Sequence, residues 1–112
     1  MKKHLAEFSL KEGEIIFDFV GYNDCYDFTK IIHIIEEFIN PGEIDYSGIT
    51  DMSGYFIKDH IRVELEYDGM LGNSCIYKDT GNPEDLEKVR GWAKTIWDEL
   101  QKSCLLYTSR CV

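Results

Sequence analysis

At 112 residues the chain has the length of one domain, enough to bury a core of its own. A hydrophobic fraction of 44% and a charged fraction of 29% exclude a disordered or fibrous chain. The formal net charge of −9 repels nucleic acid and anionic membrane and draws in basic partners, unless the acidity serves only solubility.

The chain opens on the basic Met1-Lys2-Lys3-His4, but Glu7, Lys11, Glu12 and Glu14 interrupt the stretch after it, so no secretory signal is expected. Ala6, Phe8 and Leu10 alternate with Glu7 and Ser9, which suits a first strand over 5–10; a helical start over 2–11 is the alternative. Lys11-Glu12-Gly13 signals a turn. Glu14 to Val20 then places Ile15, Phe17 and Phe19 on one face and Ile16, Asp18 and Val20 on the other, completing a hairpin.

Gly21-Tyr22-Asn23-Asp24 breaks the strand and supplies a helix cap. Asp27 adds charge near the positive end of the helix dipole. Phe28, Ile31, Ile32, Ile35, Phe38 and Ile39 recur at spacings of three and four, the stripe of an amphipathic helix, and Asn40-Pro41-Gly42 ends it. The run Ile31 to Ile39 contains His33, Glu36 and Glu37 and is too short to cross a bilayer.

The segment 43–50 is ambiguous: Ile44 and Tyr46 alternate with charges, but Gly48 weakens a strand. Asp51-Met52-Ser53-Gly54 reads as a turn. Tyr55 to Lys58 is β-like, and a bulge or bend near Asp59-His60 would let it run into the next strand. That strand is the clearest of all. Ile61, Val63, Leu65 and Tyr67 alternate with Arg62, Glu64, Glu66 and Asp68, giving one apolar face and one largely acidic face. A glycine-bearing loop over 68–73 leads to a short strand over 74–78. In the final helix Asn82 caps, Pro83 stands at the first position, and Glu84 and Asp85 fill the first turn. Leu86, Val89, Ala93, Ile96, Trp97 and Leu100 trace its apolar face. Glu84 and Lys88 are spaced to pair, and Gly91 would let another backbone approach.

The last nine residues, Cys104-Leu105-Leu106-Tyr107-Thr108-Ser109-Arg110-Cys111-Val112, resemble a translation of transposase mosaic-end DNA used to prepare sequencing libraries. Two copies joined head to head encode all nine residues, followed by a stop codon. The expectation is one native domain over 1–103 and a non-native tail over 104–112. Without Arg110, 11 basic residues stand against 21 acidic ones. Only Cys25 and Cys75 then belong to the domain, which suits two inert thiols in a reducing compartment.

The order strand, strand, helix, two or three strands, helix specifies an α+β fold (β-β-α-β-β-β-α): an antiparallel sheet of about five strands with two helices on one face. Chemistry is thin. His60 and Glu64 share a strand face, but two ligands do not make a metal site. Cys25 near a helix start has no partner histidine by spacing. No nucleophile elbow, phosphate loop, zinc motif or dinucleotide fingerprint is present. No cofactor, metal or catalytic residue is therefore expected, and the protein is not expected to be an enzyme. Tyrosines among acids describe instead a surface for gripping a basic protein. The candidate contacts are Tyr22, Asp24, Tyr26 and Asp27 at one corner and Glu64, Glu66 and Asp68 on the acidic strand face; tyrosines half-buried at core edges are the plainer alternative.

In the segments Tyr67-Asp68-Gly69-Met70-Leu71-Gly72-Asn73 and Asn82-Pro83-Glu84-Asp85-Leu86-Glu87-Lys88-Val89-Arg90-Gly91-Trp92-Ala93, with its small size and acidity, the chain resembles the immunity proteins of bacterial polymorphic toxin systems. The resemblance implies a cytoplasmic protein that blocks a cognate toxin, often a basic nuclease, and binds neither nucleic acid nor membrane. It transfers no site residues. The alternative is a non-catalytic regulatory or structural module that binds another subunit, or itself, through an open sheet face.

Overall fold

The structure, a computed structural model, describes residues 2–103; the expected non-native tail lies outside the described residues. The chain forms strands β1 (His4–Phe8) and β2 (Glu14–Val20), helix α1 (Cys25–Ile34), which continues as a π-helical segment (Ile35–Ile39), strands β3 (Glu43–Gly48), β4 (Met52–Lys58), β5 (Ile61–Asp68) and β6 (Gly72–Lys78), and helix α2 (Pro83–Ser103). The fold is α+β. All pairings are antiparallel, in the order β1-β2-β6-β5-β4-β3. α1 therefore carries the chain from β2 to the far edge, and a meander returns it to β2's side.

The sheet has six strands because the ambiguous segment is a strand and Tyr55–Lys58 belongs to a strand separate from the next one. Of the turn expected at 51–54 only Asp51 lies in the turn, and Met52, Ser53 and Gly54 begin β4. β3 pairs with β4 from Glu43–Ile57 to Gly48–Met52. The bulge expected near Asp59-His60 is instead a two-residue hairpin turn: Lys58 pairs with Ile61, and Asp59 and His60 have φ of 52° and 62°. Two consecutive left-handed residues give the turn whose twist matches antiparallel strands.

β5 alternates buried residues with half-buried or exposed ones along its whole length, as its sequence dictates. Its apolar face joins Phe17 and Phe19 of β2, Phe56 of β4, and Cys75 and Tyr77 of β6 in one layer. Phe28, Ile31, Ile32 and Ile35 of the first helical unit and Val89, Ala93, Ile96 and Leu100 of α2 cover it. Trp92 adds an edge-on contact to Phe56, with ring centroids 5.6 Å apart. Burial pushes the Cys75 thiol up to about 12, so it is an inert core residue.

Three helix expectations are corrected. Phe38, placed in the buried stripe, is half exposed. The π segment winds wider than an α-helix, with Asn40 N–H closing on Ile35 O at 2.8 Å, so Ile35 and Ile39 stay inside while Phe38 swings out. Gly91 meets no neighbouring backbone: a methyl group there would project into open space. Lys88 pairs with Asp59 at 3.5 Å, across the turn, where Glu84 was expected.

At Gly54 the sheet demands a missing side chain. A Cβ there would lie 2.3 Å from the Asp45 carbonyl and 2.7 Å from Tyr46 Cβ, so β3 can close on β4 only over glycine.

Candidate functional site

Both helices lie on one face of the sheet, so among the described residues the opposite face is uncovered, and strand alternation decides what it displays. One row crosses all six strands: Phe8, Ile16, Ile76, Glu64, Tyr55 and Asp45. The next row reads Ala6, Asp18, Ser74, Glu66, Ser53 and Ser47. The second row is a trough floored by small side chains, broken only by two carboxylates. The first is apolar over β1, β2 and β6 and acidic over β5 and β3.

Glu14, Asp18, Glu43, Asp45, Glu64 and Glu66 share this face, with Asp68 at its margin; among the strand residues only Arg62 and Lys78 bring lysine or arginine charge. Arg62 is largely committed: its guanidinium stacks 4.0 Å from the Tyr55 ring centre and lies 3.6 Å from Glu64. Tyr55 donates a hydrogen bond to Glu43 across the β3–β4 ladder, and that bond, more than burial or neighbouring charge, holds its hydroxyl pKa above the ordinary value. Partial burial raises the Asp18 carboxyl, with His4 opposing. A hollow of about 360 Å³ opens over the acidic half, lined in part by Asp45, Ser53, Tyr55, Arg62, Glu64 and Glu66.

The expected contact residues divide. Glu64 and Glu66 lie on the uncovered face. Tyr22 does not face solvent: it is 4% exposed, edge-on to Trp97 at 5.4 Å, with Lys3 over its ring at 4.4 Å. Packing against a helix 75 residues away along the chain buries it, and its polar neighbours gave no sign of that. Asp27 is also buried and closes a capping box with Asp24. Asp24 N–H donates to Asp27 Oδ2 at 3.1 Å, and Asp24 Oδ1 accepts from Tyr26 N–H at 3.0 Å. Burial outweighs these bonds and Lys30, leaving the Asp27 carboxyl above the ordinary value. Asp24 is exposed and Tyr26 half-buried at the start of α1. Asp68 Oδ1 accepts from Met70 N–H at 2.7 Å and Leu71 N–H at 3.3 Å, so that oxygen is engaged in its own turn.

His60 does not meet Glu64; its Nε2 lies 3.6 Å from Asp85 Oδ2 at the start of α2. No group of three potential metal ligands occurs among the described residues. No described helix is long and apolar enough to cross a membrane. Sequence reasoning missed Glu43, Asp45 and Asp18 as members of the acidic face. The period-2 pattern of β2 marked Asp18's side, but only the strand order brings it level with Glu66.

No family model, curated protein or solved structure matches the chain.

Proposed function

We propose that this protein is a cytoplasmic binding protein that neutralises a basic protein partner, in the manner of an immunity protein holding its cognate toxin. The observation that carries the reading is the charge of the uncovered sheet face, where carboxylates of β2, β3 and β5 stand against a single stacked arginine and Lys78. Such a face accelerates association with a cationic surface and selects against anionic ones.

The Phe8, Ile16 and Ile76 strip, with Phe8 39% exposed, favours a second reading in which another subunit covers the sheet. A second copy of this chain fits that strip poorly, because it would bring the same carboxylates face to face.

The test begins with the neighbouring reading frame of the source DNA. A product with a basic C-terminal domain is purified and its association with this protein followed by stopped flow. The association rate is expected to fall steeply between about 20 mM and 500 mM salt. Glu64→Gln/Glu66→Gln is expected to slow it about tenfold at the lower salt. A rate unchanged by salt refutes the electrostatic reading.

A further inference from the structure

We propose that two neighbouring hairpin tips at one end of the sheet, carrying Ile49, Met70 and Leu71, are the apolar anchor of the interface with the basic partner. The inference rests on the binding function proposed for the acidic face and adds what the partner must offer: an apolar recess rimmed by lysine and arginine.

Ile49 is 92%, Met70 93% and Leu71 78% exposed; among the other large apolar side chains described, only Leu10 is comparable, at 79%. Single exposed apolar residues are ordinary, but a group held together on built turns is not. The β3–β4 and β5–β6 turns are joined: Gly69 N–H donates to Asp51 Oδ1 at 3.4 Å. The Asp68 carboxylate fixes the β5–β6 turn through Met70 and Leu71 N–H, and Leu71 N–H also meets Asp68 O at 3.1 Å. Behind it Gly72, at φ +94°, lies on Asn23; a Cβ there would be 2.6 Å from Asn23 Oδ1. Buried Asn73 then ties β6 to the loop before α1 through Tyr22 O at 2.8 Å and Asp24 O at 3.3 Å. The apolar side chains are thus presented on a pre-ordered backbone, which lowers the ordering cost of inserting them into a partner.

Charge selects the occupant. Residues 45–57 and 63–77, the arms of both hairpins, contain no lysine, arginine or histidine, and they carry Asp45, Asp51, Glu64, Glu66 and Asp68. That field opposes an anionic lipid surface and a second copy of the same tips, and it favours a cationic protein.

The test uses the full chain with p-benzoylphenylalanine at position 70, at position 66, or at position 101 on α2 as a control, irradiated in extract of the cells that encode it. The expected adduct is shared by positions 70 and 66, absent from 101, and contains a lysine- and arginine-rich protein. With that protein purified, Met70→Ser/Leu71→Ser raises Kd at least about thirtyfold at low and high salt alike. Glu64→Gln/Glu66→Gln weakens binding at low salt only. Unfolding midpoints matching wild type show that both variants fold. An adduct from 66 without one from 70, or an unchanged Kd in Met70→Ser/Leu71→Ser, overturns the anchor and leaves the open-face reading standing. Binding that ignores salt but fails in Met70→Ser/Leu71→Ser overturns the electrostatic reading and keeps the anchor. Adducts from neither position overturn both. Concentration-dependent sedimentation of the protein alone, or flotation with phosphatidylcholine vesicles, either one abolished by Met70→Ser/Leu71→Ser, assigns the tips to a second copy or to lipid and overturns the proposal.

Discussion

Asn73→Asp tests whether the buried amide on β6 is a donor. Asn73 is 1% exposed, on the helix side of the sheet opposite Tyr67. Its Nδ2 faces two carbonyl oxygens, of Tyr22 and Asp24, and its Oδ1 is buried with no hydrogen-bond partner among the described residues. The orientation is forced: the opposite flip would aim an acceptor at two acceptors. Replacing the amide with a carboxyl keeps the shape and removes the donor. A carboxyl so enclosed has its pKa raised by up to about 3–5 units. At pH 7 that destabilises by about 4 kcal/mol, a ceiling set by the gap to the unfolded carboxyl pKa of about 3.9, and by about 3 kcal/mol after some water entry. Asn73→Ala loses the same two hydrogen bonds, about 1–3 kcal/mol, and recovers part of that by deleting the orphan acceptor. Urea unfolding followed by circular dichroism at pH 7 and pH 5 separates the two. Because the introduced carboxyl has a folded pKa above its unfolded one, its penalty is large at pH 7 and shrinks as pH falls, when the neutral group can donate. The alanine variant has no such dependence. An Asn73→Asp protein no less stable than Asn73→Ala at pH 7, or one whose deficit ignores pH, refutes the argument.

Two further perturbations probe the sheet. Asp18 sits half-buried between Ala6 and Ser74 with its carboxyl pKa raised by that burial, so its ionisation opposes folding as pH rises through the folded pKa. Asp18→Asn is expected to be more stable than wild type at pH 7, with the advantage vanishing below the ordinary carboxylate pKa of about 4, as read by thermal unfolding across pH. Asp59→Asn/His60→Gly supplies the residues that the left-handed turn prefers, at the cost of the exposed Asp59–Lys88 pair and of the contact between exposed His60 and buried Asp85. A rise in Tm of about 4 °C or more is expected, and a fall would show that those pairs outweigh backbone strain.

Much of the architecture was legible because its signals are local. β5 has strict alternation, α2 has its cap, proline and apolar period, and β2 was bounded correctly at both ends. What escaped depends on distant parts of the chain. The Asp59-His60 turn lacks the glycine that usually marks such hairpins, so two strands read as one bent strand. β3 is an edge strand with little burial, and its period gave only Ile44 and Tyr46 to read. The π segment shifts the helical register by one residue, which no apolar spacing announces. Tyr22 looked like a surface residue because Asn23 and Asp24 follow it; Trp97 buries it. Of the candidate contacts, Glu64 and Glu66 were placed by alternation alone, whereas the acidic patch around them required knowing that β4 and β3 lie beyond β5.

Under the proposed binding function, the uncovered face also constrains how a partner sits. The row from Phe8 to Asp45 changes from apolar to acidic between β6 and β5, where Ile76 stands beside Glu64. A partner offering cations and apolar side chains in the matching order meets both halves, whereas the reversed orientation sets cations on Phe8 and Ile16 and buries carboxylates against apolar surface, which costs several kcal/mol. The row therefore fixes direction across the strands but leaves sliding along them open. Apolar tips at one end of the sheet would close that freedom. Charge on the face and apolar contact at the end then have separable kinetic signatures. Under the proposed binding function, the carboxylates are expected to act mainly before contact and set a salt-dependent association rate, while Met70 and Leu71 are expected to act after it and set the dissociation rate.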